Sequence, residues 1–192
     1  MAQKVINLET KIASNSLSNV ERRDTNKRYN PYTISKLQDF KFFDFAVAAL
    51  DMLKTLTNNF IIISNQSGVA RGLILEQDLI KINEYIFEEF SKNNLGLLDI
   101  YYCFDHPDNP SSRRKPGVDM FVEASEKYRL DLSNCLMIGD TKWDILPAKI
   151  LGMESMLVLS GEGEKHKNSF EEQGKPDYIF KNLLLGAIEL IK

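Results

Sequence analysis

Short blocks of consecutive apolar residues recur along the chain, and between them apolar positions fall at helical spacing. Phe60-Ile61-Ile62-Ile63 is continuous and brief, as a strand buried on both faces requires. Cys135-Leu136-Met137-Ile138 and Met156-Leu157-Val158-Leu159 have the same form. Leu98-Asp99-Ile100-Tyr101-Tyr102-Cys103 reads as a further strand and Tyr178-Ile179-Phe180 as a short edge strand. Residues 76–91 bring Leu79, Ile82, Ile86, Phe87 and Phe90 to one side of a helix. Residues 45–56, 118–128, 144–151 and 183–191 also read as helices, with Gly152 as a C-terminal stop.

Strands that alternate with helices imply right-handed crossovers and a parallel sheet covered on both faces. The expected fold is therefore α/β, a Rossmann-like three-layer domain occupying residues 1–192. In such sheets ligands bind beyond the carboxyl ends of the strands, so chemistry is sought just after each apolar block. Residues 13–39 depart from the pattern. They are rich in Ser, Asn, Arg and Lys and poor in aliphatic residues, and read as a polar loop or partly disordered arm. Their cationic cluster, Arg22, Arg23, Lys27 and Arg28, reads as a solvated face.

Composition narrows the partners. Lys plus Arg is 24 and Asp plus Glu is 27 in 192 residues, a net charge of −3. No global field attracts nucleic acid or an anionic membrane, so neither is expected as a partner. Any anion must be held locally. Cys103 and Cys135 are too few for a disulfide framework and read as reduced, core-proximal thiols. The start of the chain is polar and charged, and no apolar run approaches a membrane span. A soluble, cytoplasmic protein is expected.

Three segments after apolar blocks carry candidate chemistry. Ile63 is followed by Ser64-Asn65-Gln66-Ser67-Gly68-Val69-Ala70-Arg71-Gly72, which offers a hydroxyl, amides, glycines and a cation; it reads equally as an anion-binding turn or an ordinary one. Arg113-Arg114-Lys115-Pro116-Gly117 stands at a helix entrance, where the dipole also favours anions. Ile138 is followed by Gly139-Asp140-Thr141-Lys142-Trp143-Asp144, two carboxylates of the kind that hold Mg²⁺ together with water and phosphate oxygens. Asp144 can also be read as a first-turn helix acid.

The order of these segments resembles the second, third and fourth motifs of the haloacid-dehalogenase-like (HAD) superfamily. Ser64 to Gly72, Tyr101-Tyr102-Cys103 with His106-Pro107, Arg114-Lys115-Pro116 and Ile138-Gly139-Asp140 resemble the heptose 1,7-bisphosphate and histidinol-phosphate phosphatases. The resemblance implies a HAD-like phosphatase acting through an aspartyl phosphate with Mg²⁺. It gives Ser64 and Lys115 phosphate-contacting roles and makes Asp140 a metal ligand with Asp144 close by. Asn65, Arg71 and Arg114 would contact substrate or orient the loop. The 50 residues between Ser64 and Lys115 hold no more than a core helix and strand, so no cap domain is expected.

Three departures qualify what the resemblance implies. The first motif, Asp-x-Asp, has no counterpart. Val5-Ile6-Asn7-Leu8-Glu9-Thr10-Lys11 places Asn7 and Glu9 at the nucleophile and acid/base positions, or, two residues later, Glu9 and Lys11. Glu21-Arg22-Arg23-Asp24 suits the distance to Ser64 but has no apolar strand before it. An amide is a poor nucleophile and a poor Mg²⁺ ligand. Second, of the loop that holds zinc in such phosphatases, Cys103 and His106 remain, while Asp105 stands at the His position and Ser111 and Arg113 at the last two. A tetrahedral site needs four N or S ligands, so no zinc is expected. Third, Thr141 stands where the family has Lys, and Lys142 follows. The resulting expectation is a small phosphorylated ligand, a weakened Mg²⁺ site and weak or absent phosphatase activity. The alternatives are an active Mg²⁺-dependent phosphomonoesterase of a small sugar phosphate, or a scaffold subunit with a protein partner.

Overall fold

A computed structural model describes residues 6–8, 13–15 and 36–192. Eight strands are assigned there: β1 (Ile6–Leu8), β2 (Ala13–Asn15), β3 (Phe40–Phe42), β4 (Phe60–Asn65), β5 (Leu97–Cys103), β6 (Leu136–Gly139), β7 (Glu154–Val158) and β8 (Tyr178–Phe180). The helices are α1 (Ala46–Leu53), α2 (Glu76–Lys92), α3 (Asp119–Tyr128), α4 (Lys142–Ile150), α5 (Gly163–His166) and α6 (Leu183–Leu190). Six strands form one sheet in the order β5-β4-β1-β6-β7-β8, every neighbouring pair parallel.

The continuous apolar runs are explained by two cores, one on each face of this sheet. Phe60, Ile62, Leu136, Ile138, Met156 and Val158 turn to one face, against Ala46, Leu50 and Leu53 of α1, Ile82, Ile86 and Phe90 of α2 and Leu183 and Ala187 of α6. Ile61, Ile63, Tyr101, Cys103 and Met137 turn to the other, against Met120, Phe121 and Ala124 of α3 and Ala148 of α4. Successive strand residues point to opposite faces, so a strand covered on both must be apolar at every position. The expected α/β three-layer architecture is the one observed. Between Ser64 and Lys115 lie only α2 and β5 as regular elements of any length, with no inserted cap.

Two expectations need correction. Residues 13–15, read within a polar loop, form β2, which pairs antiparallel with β3 in the register Ala13 with Phe42 and Asn15 with Phe40. Phe40 and Phe42 of β3 are buried and their rings meet edge to face, whereas Ala13-Ser14-Asn15 has no apolar alternation in the sequence to announce a strand. The 16–35 stretch lies outside the described residues. Phe87 does not join the buried side of α2 and is 42% exposed, whereas Ile86 is fully buried. Adjacent helical positions are about 100° apart, and the stripe Leu79, Ile82, Ile86, Phe90 leaves Phe87 at its edge.

Ile86→Ala should therefore lower unfolding stability by about 2–5 kcal/mol, the range for truncating a buried aliphatic residue. Phe87→Ala should cost roughly 1 kcal/mol or less, near the range for surface positions. Urea unfolding of both variants checks the contrast.

Candidate active site at the carboxyl edge of the sheet

Two of the segments singled out above leave β4 and β6 at the carboxyl edge of the sheet, and the third, before α3, meets the end of β4 through the bond of Lys115 to the carbonyl of Ile63. Ser64 and Asn65 end β4, Asp140 follows β6, and β1 runs between these two strands. Ser64, Lys115, Asp140 and Asp144 are all buried. Polar groups so withdrawn from water must be satisfied within the protein: Lys115 and Asp144 bond one another, Ser64 bonds Gln66 and Asp140 bonds the amide of Glu162.

Lys115 Nζ donates to the carbonyl of Ile63 at 2.7 Å and to Asp144 Oδ1 at 2.6 Å, with both side chains withdrawn from solvent. Asp144 Oδ2 accepts from the amide (3.0 Å) and hydroxyl (2.7 Å) of Thr141. Thr141 and Asp144 make a capping box at the start of α4, and this Thr-x-x-Asp pattern is the sequence signal that could have revealed it. Asp144 thus has both oxygens engaged as counter-ion and cap; it was expected beside the metal. Gly139 makes the arrangement possible, since a Cβ there would lie 2.3 Å from Cβ of Asp144.

The backbone of Lys115 is fixed as closely as its side chain. Asn65 spans it with its amide, accepting from Lys115 N at 3.0 Å and donating to Lys115 O at 3.1 Å. Asn65 therefore orients the lysine loop from β4. Ser64 Oγ accepts from Gln66 Nε2 at 3.2 Å. On the far side, Asp140 Oδ2 accepts from the amide of Glu162 at 2.6 Å, so the loop after β7 holds this carboxylate. Gln66 belongs to the segment of amides already singled out, but the Glu162 amide was not legible in the sequence, because a backbone donor from a distant loop leaves no residue-type signature.

The remaining candidates are more dispersed. Arg114 Nη1 donates to the carbonyl of Asp105 at 3.1 Å. Arg113 donates through Nε to the carbonyl of Tyr102 at 3.1 Å and pairs with Glu123 on α3. Arg71 is exposed in the turn after β4. Lys142 is turned over the half-exposed ring of Trp143, 4.5 Å from its centroid, so its ammonium is engaged on its own helix. In β1, Asn7 is in register with Ile61 and Met137, three residues before Ser64 and Asp140 on either side. Glu9 lies outside the described residues. Among the described residues no group of three or more His, Cys, Asp or Glu is placed to share a metal ion.

Removing Asp144 should be costly, because it leaves a buried ammonium without its counter-ion. Asp144→Ala should lose about 3–5 kcal/mol, whereas the double variant Lys115→Met, Asp144→Leu should recover much of that loss. Chemical denaturation of the two variants tests whether the pair behaves as a coupled unit.

A family model described as HAD-hydrolase-like matches residues 112–185, the segment from before Lys115 to the start of α6. A model described as peptidase family M13 matches residues 1–98. The described part of that segment supplies strands and helices to the same sheet and core as the rest, so it is no separate peptidase domain. A D-glycero-alpha-D-manno-heptose-1,7-bisphosphate 7-phosphatase of Campylobacter jejuni is 31% identical over 150 residues, covering 78% of this chain and 81% of the relative. A D-glycero-beta-D-manno-heptose-1,7-bisphosphate 7-phosphatase of Haemophilus influenzae is 28% identical over 79% of this chain and 84% of its own length. A D,D-heptose 1,7-bisphosphate phosphatase from B. bronchiseptica, solved with magnesium and phosphate, superposes with a TM-score of 0.80 at 22% identity, covering 98% of both chains. With Ser64, Lys115 and Asp140 gathered at one sheet edge in the order the motifs demand, the chain belongs to the HAD-like hydrolases, among the relatives of the heptose bisphosphate phosphatases.

Proposed function

We propose that this chain binds the phosphate of a small sugar phosphate of the heptose bisphosphate type, and that its phosphatase activity is weak or absent. The observation that carries the proposal is the buried chain from Ile63 through Lys115 and Asp144 to Thr141, which sets a cation and the Asp140 carboxylate on either side of β1. In this reading Lys115 neutralises phosphate charge, and Ser64 offers its hydroxyl to a phosphoryl oxygen. Such fixed charges in a site withdrawn from water act more strongly than they would in solution.

Weak activity is argued from the strand between them. No Asp occurs in residues 1–12, so no register supplies an Asp-x-Asp pair on β1. The position of Asn7, three residues short of Ser64 and Asp140, supports the reading in which Glu9 takes the nucleophile position and Lys11 that of the acid/base. Glutamate carries an extra methylene, and misplacement of about 1 Å can cost on the order of a hundredfold. Lysine in place of the carboxylic acid removes general acid–base assistance worth about 10²–10⁴-fold.

Mg²⁺ fits the donor set only in part. Asp140 is a buried carboxylate at the right edge, while Asp144 is committed to Lys115 and Thr141. Asp140 would hold the ion, with phosphate oxygens and water completing its shell. When bound, the ion would neutralise phosphate charge.

The test is turnover of heptose bisphosphate, histidinol phosphate and an aryl phosphate with Mg²⁺. The wild type should turn over slowly or not at all, and Glu9→Asp with Lys11→Asp should gain at least about tenfold, more than Asn7→Asp with Glu9→Asp. Loss of a covalent nucleophile elsewhere costs up to about a millionfold, so the range available for recovery is wide. Robust Mg²⁺-dependent turnover by the wild type, abolished by Asp140→Asn, would overturn the weak-activity reading and make the chain an ordinary phosphomonoesterase. Absence of phosphate binding by every variant would favour a scaffold.

A further inference from the structure

The loop between β5 and α3 is cross-linked by its own side chains at the points where a metal would need ligands. We infer that a hydrogen-bonded staple centred on Asp105, not a metal ion, closes this loop, and that Asp105 is thereby a positioning residue for Arg114 and Lys115. The inference rests on the reading of Lys115 as a phosphate-binding cation.

The geometry runs through one carboxylate. Asp105 Oδ2 accepts from the amide of Ser111 at 2.8 Å and from its hydroxyl at 2.5 Å, tying residues six apart. The same hydroxyl accepts from the amide of Arg113 at 3.2 Å, which fixes the next turn. The carbonyl of Asp105 receives Arg114 Nη1, so one residue holds the loop through its side chain and the following arginine through its backbone. Arg114 in turn accepts from the amide of Gly117 at 2.7 Å, and Gly117 sits so close that a Cβ would lie 1.9 Å from the carbonyl of Ser112. Lys115 is enclosed between these two residues. A slack loop would move its backbone against the Asn65 amide and its ammonium against Asp144.

The donor set does not fit a structural metal. Cys103 is buried and His106 is exposed, its Nδ1 accepting from the amide of Asp108 at 3.2 Å. Ser111 is a poor ligand and Arg113 is none; its guanidinium goes to Tyr102 and Glu123. The Ser111 hydroxyl and amide also hold the Asp105 carboxyl below its usual range, which keeps it ionised and a strong acceptor near neutral pH.

The experiment compares full-length wild type with Asp105→Ala, Asp105→Asn and Ser111→Ala, by amide hydrogen exchange over residues 103–117, binding of inorganic phosphate in the presence of Mg²⁺, and zinc content with and without a chelator. Asp105→Ala should speed exchange in the loop and weaken phosphate binding by about tenfold each, the order expected for losing hydrogen bonds to a charged acceptor. Asp105→Asn, which keeps an acceptor oxygen, should recover most of both; Ser111→Ala, which keeps the amide bond, should fall between. Unchanged exchange and affinity in Asp105→Ala would overturn the inference. So would stoichiometric zinc whose removal loosens the wild-type loop. Loosened exchange with unchanged affinity would reduce Asp105 to a structural role and overturn the positioning claim. If the wild type binds no phosphate, the functional reading fails, and exchange and zinc content still decide between staple and metal.

Discussion

The arrangement at the sheet edge depends on the buried ammonium of Lys115. Moving a lysine out of water costs several kcal/mol unless its charge is met, and a lone partner in poor geometry does not suffice. Here Asp144 meets the charge and the carbonyl of Ile63 takes a second donor. Each is supplied by an element that needs it for another reason. Asp144 closes the N-terminus of α4 by its capping box with Thr141, and Ile63 is core on one face of the sheet. The ion pair therefore ties the α3 entrance to the α4 entrance across β4. Removing any one member disturbs a helix start, a strand end and a buried charge at once.

This coupling explains why Asp140 and Asp144, two carboxylates four residues apart, have different tasks. Asp144 faces back into the sheet and is satisfied by Lys115 and Thr141. Asp140 is held by the amide of Glu162 from the loop after β7. The helix register separates them: one precedes the first turn and the other occupies it. One carboxylate is thus committed to the buried cation and the other to a loop from across the sheet edge.

The cationic segment before α3 also divides by task. Arg113 is spent on Tyr102 and Glu123, Arg114 on the carbonyl of Asp105, and only Lys115 turns into the buried chain. Three adjacent positive charges that look alike in the sequence are thus a clamp, a loop tie and a buried ion-pair partner. What distinguishes them is the direction in which a tight loop sends successive side chains, which charge counting does not report.

The sequence by itself determined the layers. Short continuous apolar runs such as Phe60-Ile61-Ile62-Ile63 and Cys135-Leu136-Met137-Ile138 suit strands covered on both faces, and their alternation with amphipathic helices that supply the cover made the three-layer parallel architecture legible. It also marked the segments that carry Ser64, Lys115 and Asp140, and it was their order, which resembles the HAD motifs, that singled out these residues within them. Tertiary structure alone decided the partners: Asp144 with Lys115, Asn65 with the lysine backbone, the Glu162 amide with Asp140, Asp105 with Ser111. It likewise decided that residues 13–15 pair as a strand and that Phe87 lies outside the core. Most of these join residues six to 50 apart, or join a side chain to backbone. Pattern and propensity describe one residue and its near neighbours, whereas a buried charge is satisfied by whatever the fold brings within hydrogen-bonding distance.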